Sequence, residues 1–465
     1  MRKTIGAING LLLAAALAAC SSGNGAVQPT DSPVMEQPGT GSASSSEGGS
    51  GGAPSEPAGK TEDGSPQKIV FSTFWPDNKF KEAKQKYEAL HPNVEIVLSD
   101  VETNNENTDA ELEKFMTKTN AALLAGSGPD LMEMDKLPVE QYVKLGLLAD
   151  LNELIDRDNE FRREDYFGNI LDNATIGGGL YGMPLGFFLL GFAGDADAIG
   201  KAGVEIDDRT WSWEDFAEVG ARLKQDGAYA NVIAATPASL LRMMVSDHYE
   251  RFVDVKNRQA DFQSAAFTDM MRQVKQMADD GIIGAGRPYF YAAQINSAGD
   301  YVTTLREFLS PNMQLYAKPH AKDTPAGGYF RSYRTIGLNA KSAVKEEAWD
   351  FIKFMMSEEL AYSPLSAGFP INKAVYAKGI EELKQAGEVK GHAEGPLHGA
   401  SVQVDDAQLA KLTDYVNGAI HPVAYQSGKI EELVYEESQA FFGGQKTAEA
   451  VAKLIQNKAT TYLNE

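Results

Sequence analysis

The chain has 465 residues, room for two or three domains, and its 43% hydrophobic and 23% charged residues suit a globular protein with a sizeable core. A formal charge of −22 argues against binding along a nucleic-acid backbone or docking on an anionic membrane through a basic face, since both need Lys and Arg to replace counterions. One cysteine, Cys20, excludes disulfides and cysteine-ligated zinc.

Residues 1–20, MRKTIGAINGLLLAAALAAC, open with Arg2 and Lys3 and continue as an apolar run that ends in small residues, the layout of a secretory signal. Broken by Gly6, Asn9 and Gly10, the run is too short to span a bilayer. Its ending, Leu17-Ala18-Ala19-Cys20, resembles a bacterial lipobox. That resemblance implies a signal peptide over 1–19, lipidation of Cys20 and anchoring to the outer face of the bacterial cell membrane. The Gly, Ser and Pro of residues 20–66 offer almost no large apolar side chain, so the segment is expected to be a disordered linker with a reach of roughly 35–40 Å. Six acids and three bases lie in the first 66 residues, so 67–465 carry −19 of the −22.

From residue 67 the pattern alternates between strand and helix. KIVFSTF at 68–74 reads as a strand, then Phe80, Ala83, Tyr87 and Leu90 fall on one helical face, and VEIVL at 94–98 makes a second strand. Leu112, Phe115, Met116, Thr119 and Leu123 mark a helix closed by Gly126; a short strand at 130–132 and a helix near 138–145 follow. Further helices are predicted from Ser212 (with Asp215 at capping-box spacing), at 265–280 and at 345–360. The last quarter reads as nearly all helical, with Val451, Leu454, Ile455 and Tyr462 on one face. Such alternation predicts an α/β fold with a parallel, doubly wound sheet.

The segment TNAALLAGSGPDLMEMDKLPVEQYVKLGLLADL at 119–151 resembles the family-1 extracellular solute-binding proteins of ABC importers, in its Gly-Ser-Gly-Pro-Asp and Gly-Leu-Leu-x-Asp-Leu elements. KIVFSTFWPDNKFKEAKQKYEALHPNVEI at the start, LYGMPLG at 180–186, WSWEDF at 211–216, IGLNAKSAVKEEAWDFIKFMMSEE at 336–359 and GFPINKA extend the likeness in family order. The resemblance implies two α/β lobes of the type II periplasmic-binding-protein-like fold with an interlobe ligand cleft. It places one lobe at 67–187 plus 335–390 and the other at 188–334 plus 391–465. It also implies a carbohydrate ligand, ABC importer permease subunits as partners, a monomer, and neither cofactor nor catalysis. The maltose-binding members carry a Trp and an Asp after Gly-Pro-Asp that contact sugar. Met134 and Leu137 stand there in this chain, with Asp135 and Lys136 between, so those two ligands are not carried over.

Several motifs compete with blander readings. Gly177-Gly178-Gly179-Leu180-Tyr181-Gly182 satisfies G-x-G-x-x-G, but the extended Met183-Pro184-Leu185 that follows opens no helix, so we read a β-turn. Gly48-Gly49-Ser50-Gly51-Gly52 matches a nucleophile elbow but lies in the linker. Asp100, Glu102, Asn104, Glu106, Thr108 and Glu111 approach calcium-loop spacing without the required glycine; Thr108 and Glu111 are also spaced as a helix cap. His392, Glu394 and His398 could reach one metal but sit among loop residues, and no metal is expected.

The aromatic residues carry the functional reading. Trp75 follows the first strand with Asp77 and Asn78 beside it, and Phe187 and Phe188 end a strand where the chain is expected to cross lobes. Tyr289, Phe290 and Tyr291 form one cluster, and Tyr329, Phe330, Arg331, Tyr333 and Arg334 another. Sugars present flat C–H faces rimmed by hydroxyls, which aromatic platforms and placed polar groups match. The expected ligand-binding set is therefore Trp75, Asp77, Asn78, Asp135, Phe187, Tyr289, Tyr329, Arg331 and Tyr333, with core packing as the rival role of each aromatic. Trp211, Trp213 and Trp349 are read as packing residues, and Asp130 as a loop brace. Two other functions stay open: a lipid-anchored carbohydrate-active enzyme, which needs a carboxylate pair across the cleft, and a sugar sensor without transport.

Overall fold

Short apolar runs next to the first turn signals pair in parallel: Gln67–Ser72 (β1) lies between Val94–Ser99 (β2) and Leu131–Glu133 (β3). The computed structural model describes residues 66–104, 107–308, 312–360, 362–393, 395, 397–424 and 428–464. The expected signal peptide, Cys20 and the linker through residue 65 lie outside the described residues, as do Glu106 and Glu394. All the described residues belong to the unit Glu56–Glu465. Among them, no helix is long and apolar enough to cross a membrane.

Between β1 and β2, the helix Asn78–Leu90 buries Phe80, Ala83 and Tyr87, as their spacing predicts. Leu90 is instead 62% exposed, because it ends the helix at the His91 cap. The helix Thr108–Ala125 buries Phe115, Thr119 and Leu123 and stops at Gly126, which takes the left-handed conformation that a side chain resists. Ser212 and Asp215 form the predicted reciprocal cap on the helix Trp213–Asp226. The helix expected at 345–360 ends earlier, at Met355. In the final helix, Ala448–Asn464, Val451 and Ile455 are buried while Tyr462 is exposed.

The later strands of the same sheet are Met183–Asp195 (β4), Asn231–Ala234 (β5), Ile283–Gly284 (β6), Pro288–Ile295 (β7), Met313–Ala317 (β8), Gly328–Leu338 (β9), Phe369–Pro370 (β10) and Ala419–Pro422 (β11). They join one sheet in the order β2-β1-β3-β9-β4-β7-β5-β6, with β8 and β10 beside β4 and β11 beside β9. The sheet is mixed and not wholly parallel as the alternation suggested: β9 runs antiparallel to β3 and β4, and β4 antiparallel to β7 and β8. β4 and β9 are the two longest strands of the sheet, at 13 and 11 residues. β4 pairs with β9 over Met183–Leu190 and with β7 over Leu189–Gly194, so it belongs to both halves of the sheet.

Two large cores flank this arrangement. One gathers side chains from Ile69 through Leu189, from Ala193 and from Ala293 through Ala419; the other takes residues from Phe192 to Phe290 and from Ile430 to Leu463. A smaller core containing Phe74, Phe115, Met132 and Tyr142 lies beside the first. The cores thus divide the chain differently from the expected boundaries, because residues near 298–315 and 389–419 send their apolar side chains into the first core. Side-chain alternation explains the division on β4: Phe187, Leu189 and Ala193 enter the first core, and Phe192 enters the second.

Candidate ligand-binding cleft

Phe188 and Leu190 point to the other face of the sheet, where their cross-strand partners are Arg331 and Tyr329 of β9 and, for Leu190, Gln294 of β7. Phe188 packs on Tyr333 with ring centroids 4.5 Å apart. Arg331 donates from Nη1 to Gln294 Oε1 at 2.8 Å and from Nε to the Ala424 carbonyl at 3.0 Å. These side chains form a polar and aromatic floor.

One wall rises from the ends of β1 and β3. Trp75 follows Phe74, which is buried in the small core, and its own ring is 42% exposed with Lys136 Nζ 4.9 Å above it. Asp77 caps the helix Asn78–Leu90 by accepting from the Lys79 amide at 2.7 Å, while its other oxygen accepts from Arg334 Nη2 (2.6 Å) and Nε (2.9 Å). Arg334 has a φ of +49°, uncommon for a side chain of its size. Asp135 holds that conformation, accepting from the Arg334 amide at 2.8 Å and the Thr335 amide at 3.1 Å. Burial raises the Asp135 carboxyl even against these bonds. Glu133 is pushed up to about 8, by burial first and then by the negative charge of Asp135 and Asp77. It is therefore largely protonated at neutral pH and can donate as well as accept.

The opposite wall belongs to the second core. A cavity of about 410 Å³ opens there, bordered by Ala235, Arg242, Ser246, Gln294 and Arg331. At its base Lys318 pairs with Asp247, side chains that are 5% and 1% exposed. Lys318 Nζ also lies 4.3 Å from the Tyr329 ring centroid, and Tyr329 packs on His421 at 4.9 Å. Burial favours the neutral form of both members of the pair, raising Asp247 and lowering Lys318. Among the described residues, the second oxygen of Asp247 is buried without a hydrogen-bond partner. A smaller cavity of about 90 Å³ borders Tyr333, Arg334 and Gly368 on the first lobe.

The nine expected ligand residues divide by this geometry. Trp75, Asp77, Asp135 and Tyr333 come together on the first wall and floor, and Arg331 lies on the floor at the larger cavity. Asn78 is exposed in the first turn of its helix. Phe187, with no exposed surface, packs between Phe167 and Phe369; the neighbour on the cleft side is Phe188. Tyr289 is likewise 0% exposed, its hydroxyl donating to the Leu223 carbonyl (3.0 Å) on the far side of the second core; β7 offers Gln294 to the floor instead. Tyr329 is buried beneath the cleft. Glu133, Arg242, Gln294 and the Asp247–Lys318 pair were not singled out by the sequence. Strand alternation counted from Phe188 and Arg331 would have reached Gln294 only once the pairing register was known.

The other motifs also find their places. Ile176 and Gly179 exchange backbone hydrogen bonds around Gly177 and Gly178, both at positive φ, so the G-x-G-x-x-G match is a β-turn. Thr108 does not cap its helix with Glu111: its hydroxyl donates to the Asn104 carbonyl, and Glu111 pairs with Lys114. Trp211, Trp213 and Trp349 are core residues, and Asp130 braces its loop, accepting from the Val70 amide and the Ser342 hydroxyl.

Along one rim the two sides touch. Tyr249, packed on the second core, donates to Glu140 Oε2 at 3.2 Å, and Glu140 lies on the helix Val139–Lys144 of the small core. Burial, then the facing Glu431, raises Glu140 to about 7; Glu250 adds to the rise and the Tyr249 bond opposes it.

Two cores that share the strand β4 beneath a polar, aromatic groove are the arrangement of a two-lobed solute-binding protein. The chain belongs to the bacterial extracellular solute-binding protein family, whose model matches residues 76–362. Its fold is similar to that of a family 1 extracellular solute-binding protein from Alicyclobacillus acidocaldarius (TM-score 0.59, 16% identity, 86% of this chain and 99% of that one). It is also similar to a periplasmic oligogalacturonide binding protein from Yersinia enterocolitica (TM-score 0.60, 15% identity, 85% and 99%). A cyclic alpha-maltosyl-1,6-maltose binding protein from Arthrobacter globiformis gives a TM-score of 0.56 at 13% identity over 86% and 99%.

Proposed function

We propose that this protein is the lipid-anchored substrate-binding component of an ABC importer for a carbohydrate, an oligosaccharide in our reading. The observation that carries it is the first wall: an exposed Trp75 ring beside Asp77, Glu133, Asp135 and Tyr333. A stacking surface bordered by carboxyl groups suits a sugar ring, whose apolar face needs a platform and whose hydroxyls need acceptors. The oligosaccharide binders among proteins of the same fold support this reading. Cys20 attaches the protein to the outer face of the cell membrane through the linker, and the ligand-closed form is presented to the permease. A thermal-shift screen over mono-, di- and oligosaccharides tests it. A ligand at 100-fold its Kd adds about 2.7 kcal/mol of stability, a readable shift. Amino acids or peptides that raise the melting temperature where no sugar does would refute the carbohydrate assignment.

A further inference from the structure

The rim where the two sides touch is built largely from acids. Glu140 stands on the helix Val139–Lys144, with Lys144 one turn further along. From the second core, Tyr249 and Glu250 face it on the helix Tyr249–Phe252, and Glu431 on the helix Lys429–Phe442. The Glu140 carboxyl accepts the Tyr249 hydroxyl at 3.2 Å, a hydrogen bond that joins the two sides. Glu431 is 3% exposed and already engaged: one oxygen accepts from the Gly428 amide at 2.9 Å, and the Ser246 hydroxyl donates to its carboxyl. Arg242, on the helix Pro237–Asp247, is the cation that bears on Glu431. Arg251 follows Glu250 but turns to Asp323, at 2.6 Å. Asp254 adds a further acid beside Glu250, and Tyr462 of the final helix bears on Tyr249.

Closing the rim therefore brings carboxyl groups from opposite sides together where little water reaches them. Ionised, they repel, and carboxylates that share a site do not all keep their charge without cost. A proton on Glu140 makes it neutral, ends its part of the repulsion and adds an O–H donor. Burial first, and then Glu431, raises Glu140 from its ordinary 4.5 to about 7 in the contact, whereas opening returns the carboxyl to water. The form with the rim closed thus binds the proton more tightly, and that bias is lost as pH rises through 7. We propose that the rim is a proton-dependent latch: Glu140 takes up a proton as the lobes close over the cleft, so the protein closes more readily in acid than at alkaline pH. The latch biases the balance whatever ligand the cleft holds, because none of its groups lies on the Trp75 wall or the floor.

Single-molecule energy transfer on the whole chain, free of ligand, tests it. Dyes on Lys118→Cys and Lys453→Cys, exposed positions on helices of either side, report the separation of the lobes in a Cys20→Ala background. The ratio of closed to open molecules should rise by about tenfold or more from pH 8 to pH 5, as a proton affinity raised from 4.5 to about 7 on closing requires. Glu140→Gln, neutral at every pH, should level that slope. Tyr249→Phe loses the hydrogen bond but keeps the carboxyl groups, so it should close less at each pH and keep the slope, which separates titration from a merely structural role. Glu431→Gln removes the facing charge and should reduce the slope, and it serves where Glu140→Gln fails to fold. A ratio constant between pH 5 and 8, a single population at every pH, or a slope as steep as wild type in Glu140→Gln or Glu431→Gln overturns the inference. The carbohydrate reading stands or falls separately, on the thermal-shift screen.

Discussion

Replacing Asp247 by Ala should be among the most damaging single changes to this protein, although it removes only one carboxylate. Asp247 and Lys318 pair at the base of the second wall, and their side chains are 1% and 5% exposed. Truncating the acid leaves a lysine with burial already lowering its proton affinity and Arg331 as a second positive neighbour. Breaking such a pair costs about 3–5 kcal/mol, because the remaining charge has neither water nor a partner. With an unfolding entropy near 2.1 cal/mol/K per residue over about 400 folded residues, that corresponds to a melting temperature lower by about 4–6 °C. Differential scanning calorimetry at pH 7 measures it directly. The double variant Asp247→Leu, Lys318→Met, which removes both charges at similar volume, should recover most of the loss. An Asp247→Ala protein melting within 1 °C of wild type, at about that precision, would refute the account of the base as a tightly held buried pair.

The remaining predictions concern the first wall, the rim and the anchor. Trp75→Ala should weaken ligand binding by about 1–3 kcal/mol with the melting temperature of the free protein nearly unchanged, measured by calorimetric titration once a ligand is found. Glu140, raised by burial and Glu431 to about 7, binds a proton more tightly in the folded rim than in the unfolded chain, so its contribution is complete below the unfolded value near 4.5 and lost as pH rises through 7. Glu133, raised to about 8, acts in the same direction. Glu140→Gln should therefore flatten the fall in melting temperature between pH 5 and 8, on the order of 1–3 kcal/mol, and an unchanged pH profile would remove the rim from the explanation. Cys20→Ala should shift the protein from the membrane fraction to the soluble one on fractionation of expressing cells; retention in the membrane would refute lipidation.

Fold and family were legible because they rest on local chemistry repeated in order. Periodicity marked the helix carrying Phe80, Ala83 and Tyr87, a left-handed glycine marked the end at Gly126, and the Ser212–Asp215 spacing marked a cap. The cleft was legible only in part. Phe187 and Phe188 are chemically identical, and what separates a core residue from a cleft residue is the phase of β4, which its pairing to β7 and β9 sets and no local pattern reveals. Tyr289 failed for the same reason, since an aromatic cluster on a strand buries one member on each side. Glu133, Arg242 and the Asp247–Lys318 pair share no sequence motif; partners 71 residues apart meet only after the second core has formed. Arg334 shows the converse: its place in an aromatic and basic cluster was visible, but its left-handed backbone and its grip on Asp77 were not.

Sharing β4 and β9 between the two sides has a consequence for how binding can be reported. The floor remains continuous whichever way the walls lean, so it contributes similar contacts in open and closed forms and does little to choose between them. Discrimination must come from groups on separate walls that meet through the ligand, which on the carbohydrate reading means Trp75 and the Glu133 carboxyl on one side and residues bordering the larger cavity on the other. One direct rim contact, the hydrogen bond between Tyr249 and Glu140, is worth about 1–3 kcal/mol and opposes the cost of burying Glu140 beside Glu431. Moving a two-state balance from 1:99 to 99:1 takes about 5.5 kcal/mol. That bond alone therefore cannot hold the lobes shut, and the missing energy is of the size that one stacked ring and a few hydrogen bonds through the ligand supply. A ligand truncated to lose either end should still bind the floor while failing to close the protein, which small-angle scattering with and without that ligand would read as an unchanged radius of gyration.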